Sequence, residues 1–86
     1  MNMSGCRKEY DFRIIGKNLK RLRLAKKLSV ENVRDYLLLC SVQAVYKWER
    51  GESLPQADTF MALLELYGVE SLREITCVSP PQISAA

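Results

Sequence analysis

Hydrophobic residues recur at helical spacing along most of the chain. The first stripe, in steps of three and four residues, predicts a helix and consists of Phe12, Ile15, Leu19 and Leu22. The second stripe predicts a shorter helix and consists of Val30, Val33 and Leu37. Ser29 stands just before this second stripe, where its hydroxyl is suited to cap the helix.

The C-terminal part of the chain predicts two more helices. The hydrophobic face of the longer one consists of Phe60, Leu63, Leu64 and Tyr67. We expect Pro55 just inside the first turn of this helix and Gly68 at its end. Residues 71–74, Ser-Leu-Arg-Glu, match the capping-box pattern and predict a final short helix with Leu72 and Ile75 directed inward.

Residues 41–51 predict a helix with two distinct faces, and residues 38–40 form the connection that leads to it. Its apolar face consists of Ala44, Val45 and Trp48, and its polar face consists of Val42, Gln43, Tyr46, Lys47 and Arg50. Ser41 is the expected cap, and Gly51 is suited to the left-handed conformation that ends many helices. Because no carboxylate interrupts the polar face, its side chains can contact base edges and phosphates. The segment is typical of a recognition helix.

Five helices and no strand pattern predict an all-α fold in one small domain at residues 12–77. Residues 1–11 lack hydrophobic periodicity, and we expect them to be a flexible lead-in. Residues 78–86 include Pro80 and Pro81, and we expect them to be a disordered tail.

Charge is distributed unevenly along the chain. Residues 7–27 hold nine basic side chains against Glu9 and Asp11, a net charge of +7. Residues 28–86 hold four basic side chains against eight acidic ones, a net charge of −4. This asymmetry favours a surface directed at a polyanion, and a solvated amphipathic helix is the alternative explanation.

Several classes of function lack support in the sequence. The cysteines Cys6, Cys40 and Cys77 are widely separated and the chain has no histidine, so neither a metal site nor a disulfide scaffold is predicted. We expect Cys40 to be a buried or half-buried free thiol rather than a redox sensor. Without glycine-rich phosphate loops or paired carboxylates, no catalytic residue, cofactor or enzymatic activity is predicted. The absence of a signal peptide or membrane-spanning run favours a cytoplasmic protein.

The segment at residues 43–51, followed by Ser53, Leu54 and Pro55, resembles the helix-turn-helix of the phage-repressor-like (XRE) family. The similarity extends over about residues 14–75. It implies a compact five-helix, lambda-repressor-like DNA-binding domain with the helix-turn-helix at its second and third helices. It also implies an ion pair between Arg23 and Glu49. The residues expected to support the recognition helix are Arg23, Val45, Trp48, Glu49 and Gly51.

The resemblance also assigns contacts with double-stranded DNA. The residues expected to contact bases are Val42, Gln43 and Lys47. Gln43 matches the main base-contacting glutamine of the family, and its amide can bond to adenine. The residues expected to contact the DNA backbone are Arg13, Lys17, Ser41, Tyr46 and Arg50. The chain departs from the family at Leu38, where a glycine is usual, and at Glu52, where a lysine is common.

These observations predict a sequence-specific transcriptional regulator that binds a pseudo-palindromic operator as a homodimer and represses by occluding a promoter. The alternative is an antitoxin-type module that binds a partner protein and regulates its own gene through DNA. Its partner surface would be the acidic C-terminal half and the tail after Val78. Binding of RNA or single strands is a weaker option, because exposed aromatic residues are few.

Overall fold

The computed structural model describes residues 10–78, and these residues form five helices without a strand. The helices are α1 (Phe12–Ala25), α2 (Val30–Leu37), α3 (Gln43–Glu49), α4 (Ala57–Tyr67) and α5 (Arg73–Thr76). The predicted all-α, five-helix architecture is confirmed. Of the expected flexible lead-in at residues 1–11 and disordered tail at residues 78–86, all but Tyr10, Asp11 and Val78 lie outside the described residues. Asp11 is the cap of α1 and so belongs to the folded domain. None of the described helices has the length and apolar character to span a membrane.

Side chains cap the first two helices. The Asp11 carboxylate accepts a hydrogen bond from the Arg13 N–H at 2.9 Å at the start of α1. At α2, the Ser29 hydroxyl accepts from the Asn32 N–H at 3.0 Å, and the Asn32 amide oxygen accepts from the Ser29 N–H at 2.9 Å. Ser29 is therefore the predicted cap, and such a cap stabilises a helix by about 1 kcal/mol.

The starts of α3 and α4 differ in part from the predictions. Ser41 accepts a hydrogen bond from the Gln43 N–H at 3.3 Å, but Val42 is the residue directly before α3. The prediction for Pro55 was wrong. Because Gln56 is extended (φ −65°, ψ 161°), α4 begins only at Ala57.

The predicted end of α4 is confirmed, and the predicted start of α5 is confirmed in part. Gly68 ends α4 in the left-handed conformation (φ 72°). Half of the predicted capping box at α5 forms, because the Glu74 carboxylate accepts from the Ser71 N–H at 3.2 Å. The Ser71 hydroxyl accepts from the Arg73 N–H instead of that of Glu74, and Leu72 is the residue directly before the helix. Leu72, however, is 58% exposed. In this single-turn helix only Ile75 reaches the interior, so the inward prediction for Leu72 was wrong.

All five helices contribute to one hydrophobic core. Its buried members are Ile15, Leu19, Val30, Val33, Val45, Trp48, Leu63, Tyr67 and Ile75. Leu22, Leu37, Phe60 and Leu64 are half-buried and pack against these residues. Phe12 was predicted to lie in the first stripe, but it is the first residue of α1 and remains 43% exposed. The core thus fixes the position of α3 relative to α1 and α2.

Asn18 is a buried polar residue that the hydrophobic pattern did not reveal. Its side-chain amide donates to the backbone carbonyls of Ile75 at 2.8 Å and Cys77 at 3.0 Å. An isolated helix of one turn is unstable in water, so α5 depends on contacts with the rest of the domain. Asn18 supplies two of these contacts, and it thereby joins the end of the domain to α1.

We expect Asn18→Leu to lower the free energy of unfolding by about 1–2 kcal/mol, because it leaves the Ile75 and Cys77 carbonyls without their donor. Urea denaturation followed by the fluorescence of Trp48, the single tryptophan, measures the change. Thr76→Val is the matched control, since the Thr76 hydroxyl donates to the Leu72 carbonyl at an exposed site and does not contact the Asn18 side chain. Equal losses in the two variants would contradict the role of Asn18.

Candidate nucleic-acid interface

The two faces of α3 are separated as the sequence predicted. Val45 and Trp48 are buried. Ala44 is half-buried and packs against the same core. The exposed residues on the outer side are Gln43, Tyr46, Lys47 and Arg50. The third residue expected to contact bases, Val42, is half-buried against the core, so only part of its side chain faces outward.

Close packing against α1 holds the C-terminal end of α3. A Cβ atom on Gly16 would lie 2.5 Å from the Trp48 carbonyl oxygen and 2.6 Å from that of Glu49, so only glycine permits this approach. Sequence reasoning did not single out Gly16. The available signal was a glycine in the middle of a predicted helix, where it costs about 1 kcal/mol relative to alanine unless packing requires it.

Gly51 ends α3 and brings the following loop against α1. It adopts the left-handed conformation (φ 80°), as the sequence predicted. A Cβ atom there would lie 2.7 Å from the Cα atom of Arg13. Arg13, on the first turn of α1, is therefore adjacent to the end of the recognition helix, although the two segments are far apart in the sequence.

Arg23 and Glu49 form the expected ion pair, and both side chains are more than nine-tenths buried. Arg23 Nε donates to Glu49 Oε2 at 2.7 Å, and Nη2 donates to Oε1 at 3.2 Å. The third nitrogen, Nη1, donates to the Leu28 carbonyl at 2.9 Å. The hydrogen bond with Glu49 raises the pKa of Arg23 despite its burial. This network joins α3 to α1 and to the segment between α1 and α2.

Tyr67 of α4 lies near this ion pair. Burial raises the pKa of its phenol, and the Glu49 carboxylate adds to the rise. Tyr67 therefore stays neutral at physiological pH, and its phenol adds no charge beside the ion pair.

The connection between α2 and α3 contains an unusual backbone conformation. Leu38 is left-handed (φ 59°, ψ 43°) and 88% exposed. Its N–H donates to the Asp35 carbonyl at 3.3 Å, and the Leu39 N–H donates to the Arg34 carbonyl at 2.9 Å. These bonds close α2 at Leu38, the residue at which the sequence departs from the usual glycine of the resembled family. Leu38 thus holds a conformation that costs a leucine roughly 1–2 kcal/mol.

Cys40 lies in the same connection, and its thiol is exposed. The expectation of a buried or half-buried Cys40 was wrong. Leu39 is the residue of the connection that packs against the core, and the Cys40 side chain stays at the surface.

The cations near α3 differ in how they are paired. Arg50 Nε contacts Glu52 Oε2 at 2.6 Å on the surface. This hydrogen bond lowers the pKa of Glu52, and the nearby charge of Lys47 lowers it further. Arg13 lies 3.7 Å from Asp11, with its side chain 81% exposed. Lys17 and Lys47 have no carboxylate within 4.0 Å among residues 10–78.

A cationic cleft extends along α1 from the end of α3. Lys17, Lys20, Arg21 and Leu24 line it on α1, with Glu49 on the α3 side. Because Arg23 neutralises Glu49, the cleft carries a positive charge. Lys20 and Arg21 were not among the predicted DNA contacts. Lys20 and Arg21 stand three and four residues after Lys17, on the same side of the helix. This spacing is the sequence signal from which their place in the cationic cleft could have been predicted.

A family model described as helix-turn-helix matches residues 19–75, about two thirds of the chain. The chain belongs to the XRE-type helix-turn-helix family. Comparison with curated proteins and with solved structures finds no match. This helix-turn-helix protein is thus a DNA-binding transcription regulator, with α2 and α3 as the motif. The matched residues include Arg23, Glu49 and the whole of α3.

Proposed function

We propose that this helix-turn-helix protein is a repressor that reads double-stranded DNA with α3 in the major groove. The observation that carries the proposal is the outer face of α3. Gln43 and Lys47 are exposed on it one turn apart, no carboxylate of α3 lies on it, and the buried Arg23–Glu49 pair anchors its far end. A rigid helix with an amide and an ammonium at this spacing fits the donor and acceptor pattern of base edges.

Gln43 is the proposed adenine contact, because a side-chain amide can bond to both the N6 and N7 atoms of that base. Lys47 is proposed to donate to guanine acceptors. Val42 is proposed to contact a thymine methyl group, and its half-burial limits this contact to the outer part of the side chain.

The DNA backbone is proposed to lie across the residues that surround α3. These are Arg13, Lys17, Ser41, Tyr46 and Arg50. Arg13 adjoins Gly51 at the end of α3, and Lys17 follows it one turn later on the exposed side of α1. Phosphate contacts of this kind set the orientation of a recognition helix and contribute affinity without sequence preference.

Repression is proposed to require two copies of the chain on a pseudo-palindromic operator. One short helix contacts too few base pairs to select a site in a genome, whereas two helices about one DNA turn apart double the sequence that is read. A dimer bound over a promoter excludes other proteins from it.

Selection of bound sequences from random duplexes, followed by affinity measurements, tests the proposal. We expect Gln43→Ala and Lys47→Ala each to cost roughly 1–3 kcal/mol against the selected sequence and to relax preference at one base pair. Gln56→Ala and Lys26→Ala are matched controls, because both side chains are exposed and neither residue belongs to α3. Lys17→Ala should instead weaken binding to all sequences alike.

Unchanged sequence preference in both the Gln43 and Lys47 variants would overturn the assignment of the reading face. A selection that yields no preferred duplex would overturn sequence-specific repression altogether. In that case the acidic C-terminal half would be the place to search for a protein partner.

A further inference from the structure

A cavity lies between α1 and the part of the chain that follows α5. Its volume is about 300 Å³, at the lower end of the range of roughly 300–1,000 Å³ that is usual for small-molecule sites. The residues that line it are Ile14, Lys17, Asn18, Arg21 and Val78. This is a different side of α1 from the one that packs against α3, because Gly16 faces α3 whereas the Asn18 amide binds carbonyls beside α5.

Part of the cavity is apolar, and the hydrophobic core does not account for it. Ile14 is half-buried, yet it belongs neither to the described core nor to the residues that pack against that core. Val78 lies outside every helix and is 76% exposed. An apolar group placed against these two side chains would remove from water a surface that neither of them buries in the free protein.

The polar part of the cavity contains a guanidinium that is already held in position. Arg21 Nη2 donates to the Glu74 backbone carbonyl at 3.2 Å and lies 3.5 Å from the Asn18 side-chain oxygen. Within residues 10–78, Nη1 and Nε of Arg21 have no hydrogen-bond partner, and no carboxylate lies within 4.0 Å of this side chain. The planar donors of a guanidinium suit a carboxylate, which can accept two parallel hydrogen bonds from them.

We propose that this cavity binds a small organic anion. Its carboxylate pairs with Arg21, and its short apolar body lies against Ile14 and Val78. The site goes beyond the proposed function, in which Arg21 has no part.

Larger or internal occupants fit the cavity less well. A stable protein partner contacts roughly 20–30 residues on each side, far more than the five that line this cavity. The C-terminal residues of the chain lack the matching charge, because residues 79–86 contain no acidic side chain. Residues 1–9 contain one, Glu9, directly after Arg7 and Lys8. A free anion therefore matches the charge of Arg21 better than either end of this sequence does.

The position of the cavity also gives the anion a regulatory effect. Lys17 and Arg21 border both this cavity and the cationic cleft on α1. Lys17 is a proposed contact to the DNA backbone, so an anion bound beside it would offset positive charge that DNA uses. Two ligands that compete in this way weaken each other's binding by the same factor. This step rests on the proposed function, and the anion would then act as an inducer that releases the repressor from DNA.

Titration of the isotope-labelled full chain with benzoate, followed by nuclear magnetic resonance without DNA, tests the site. We expect the largest shifts at the amides of Ile14, Asn18, Arg21 and Val78, with a dissociation constant of about 1–10 mM for so small a ligand. Benzamide lacks the charge and inorganic phosphate lacks the apolar body. Each should bind at least about tenfold more weakly than benzoate.

Three variants assign the binding to the cavity. Arg21→Gln should raise the dissociation constant for benzoate at least about tenfold, because the charged donors are lost. Lys20→Gln is the matched control, since it removes one positive charge from the adjacent exposed position of α1 and does not line the cavity. Val78→Asp lies outside every helix and should also prevent binding, because it places a carboxylate in the cavity. Circular dichroism verifies that each variant remains helical.

The proposal is overturned if benzoate shifts no amide around the cavity, or if Arg21→Gln binds it as well as Lys20→Gln does. Benzamide or phosphate that binds as tightly as benzoate would overturn the proposed class of ligand.

Titration of a selected duplex separates these results from the fate of the proposed function. At constant ionic strength, we expect saturating benzoate to weaken duplex binding by the wild type about fivefold and to have little effect on Arg21→Gln. An unchanged duplex affinity of the wild type would overturn the competition through Lys17. If no selective duplex exists, the proposed function fails, while the titration without DNA still decides whether the cavity binds an anion.

Discussion

Arg23→Met is expected to lower the free energy of unfolding by about 3–5 kcal/mol, because it leaves the Glu49 carboxylate buried without its partner. The side chain of Glu49 is only 7% exposed, and Arg23 donates two hydrogen bonds to it. The Leu28 carbonyl loses a donor as well. Urea denaturation followed by Trp48 fluorescence reports the change directly, because the tryptophan lies on the same helix as Glu49.

Two comparison variants show whether burial is the cause. Arg34→Met removes an ion pair of similar length, 2.9 Å between Arg34 Nε and Asp35 Oδ1, but on the surface. It should cost less than about 1 kcal/mol. The double variant Arg23→Met with Glu49→Leu should recover much of the stability, because no charge then remains in the interior. If Arg23→Met and Arg34→Met had the same small effect, the buried pair would not be what anchors α3.

Gly16→Ala is expected to destabilise the domain by about 3 kcal/mol, although alanine is the better helix former. The new methyl group would lie 2.5 Å from the Trp48 carbonyl oxygen. Because the positions of both atoms are fixed by the backbone, no side-chain rotation can relieve the clash. Helices α1 and α3 must therefore move apart. Thermal and urea denaturation measure the loss, and the same displacement should reduce affinity for a selected duplex at temperatures where the variant is folded.

Gly68→Ala provides the control for a glycine replaced without a backbone clash. Its Cβ atom would meet only the Lys26 ammonium group at 3.2 Å, which can swing away, so the cost is that of the left-handed backbone, roughly 1–2 kcal/mol. A Gly16→Ala variant no less stable than Gly68→Ala would show that α1 and α3 can separate easily, contrary to the packing described above.

The local part of the fold was predictable because it depends on neighbouring residues. The helical stripes followed from spacing of three and four residues, the Ser29 cap from a hydroxyl before a stripe, and the end of α4 from Gly68. The faces of α3 followed from the same periodicity. The Arg23–Glu49 pair came instead from family resemblance, since nothing in the spacing of two residues 26 positions apart indicates contact.

What could not be predicted depends on distant parts of the chain. Asn18 is a polar residue within a basic helix, and its role appears only when carbonyls 57 and 59 residues later fold against it. A glycine is required at position 16 only because the backbone of α3 packs against α1 at that point. Phe12 and Leu72 belong to apolar stripes, yet Phe12 is the first residue of α1 and Leu72 stands just before α5, where the core no longer covers the side chain. Helical periodicity predicts which way a side chain faces, but not how far the rest of the fold buries it.

The Arg50–Glu52 ion pair affects how long the protein would stay bound to DNA that lacks the operator. If α3 binds as proposed, a phosphate that contacts Arg50 must first displace Glu52, and this competition is the same at every sequence. Base contacts from Gln43 are unaffected. Because sites without the operator vastly outnumber the operator itself, a weaker hold on the backbone shortens each unproductive encounter. Glu52 would therefore lower the affinity for all DNA alike and shorten the time that the protein spends at each nonspecific site before it reaches the operator.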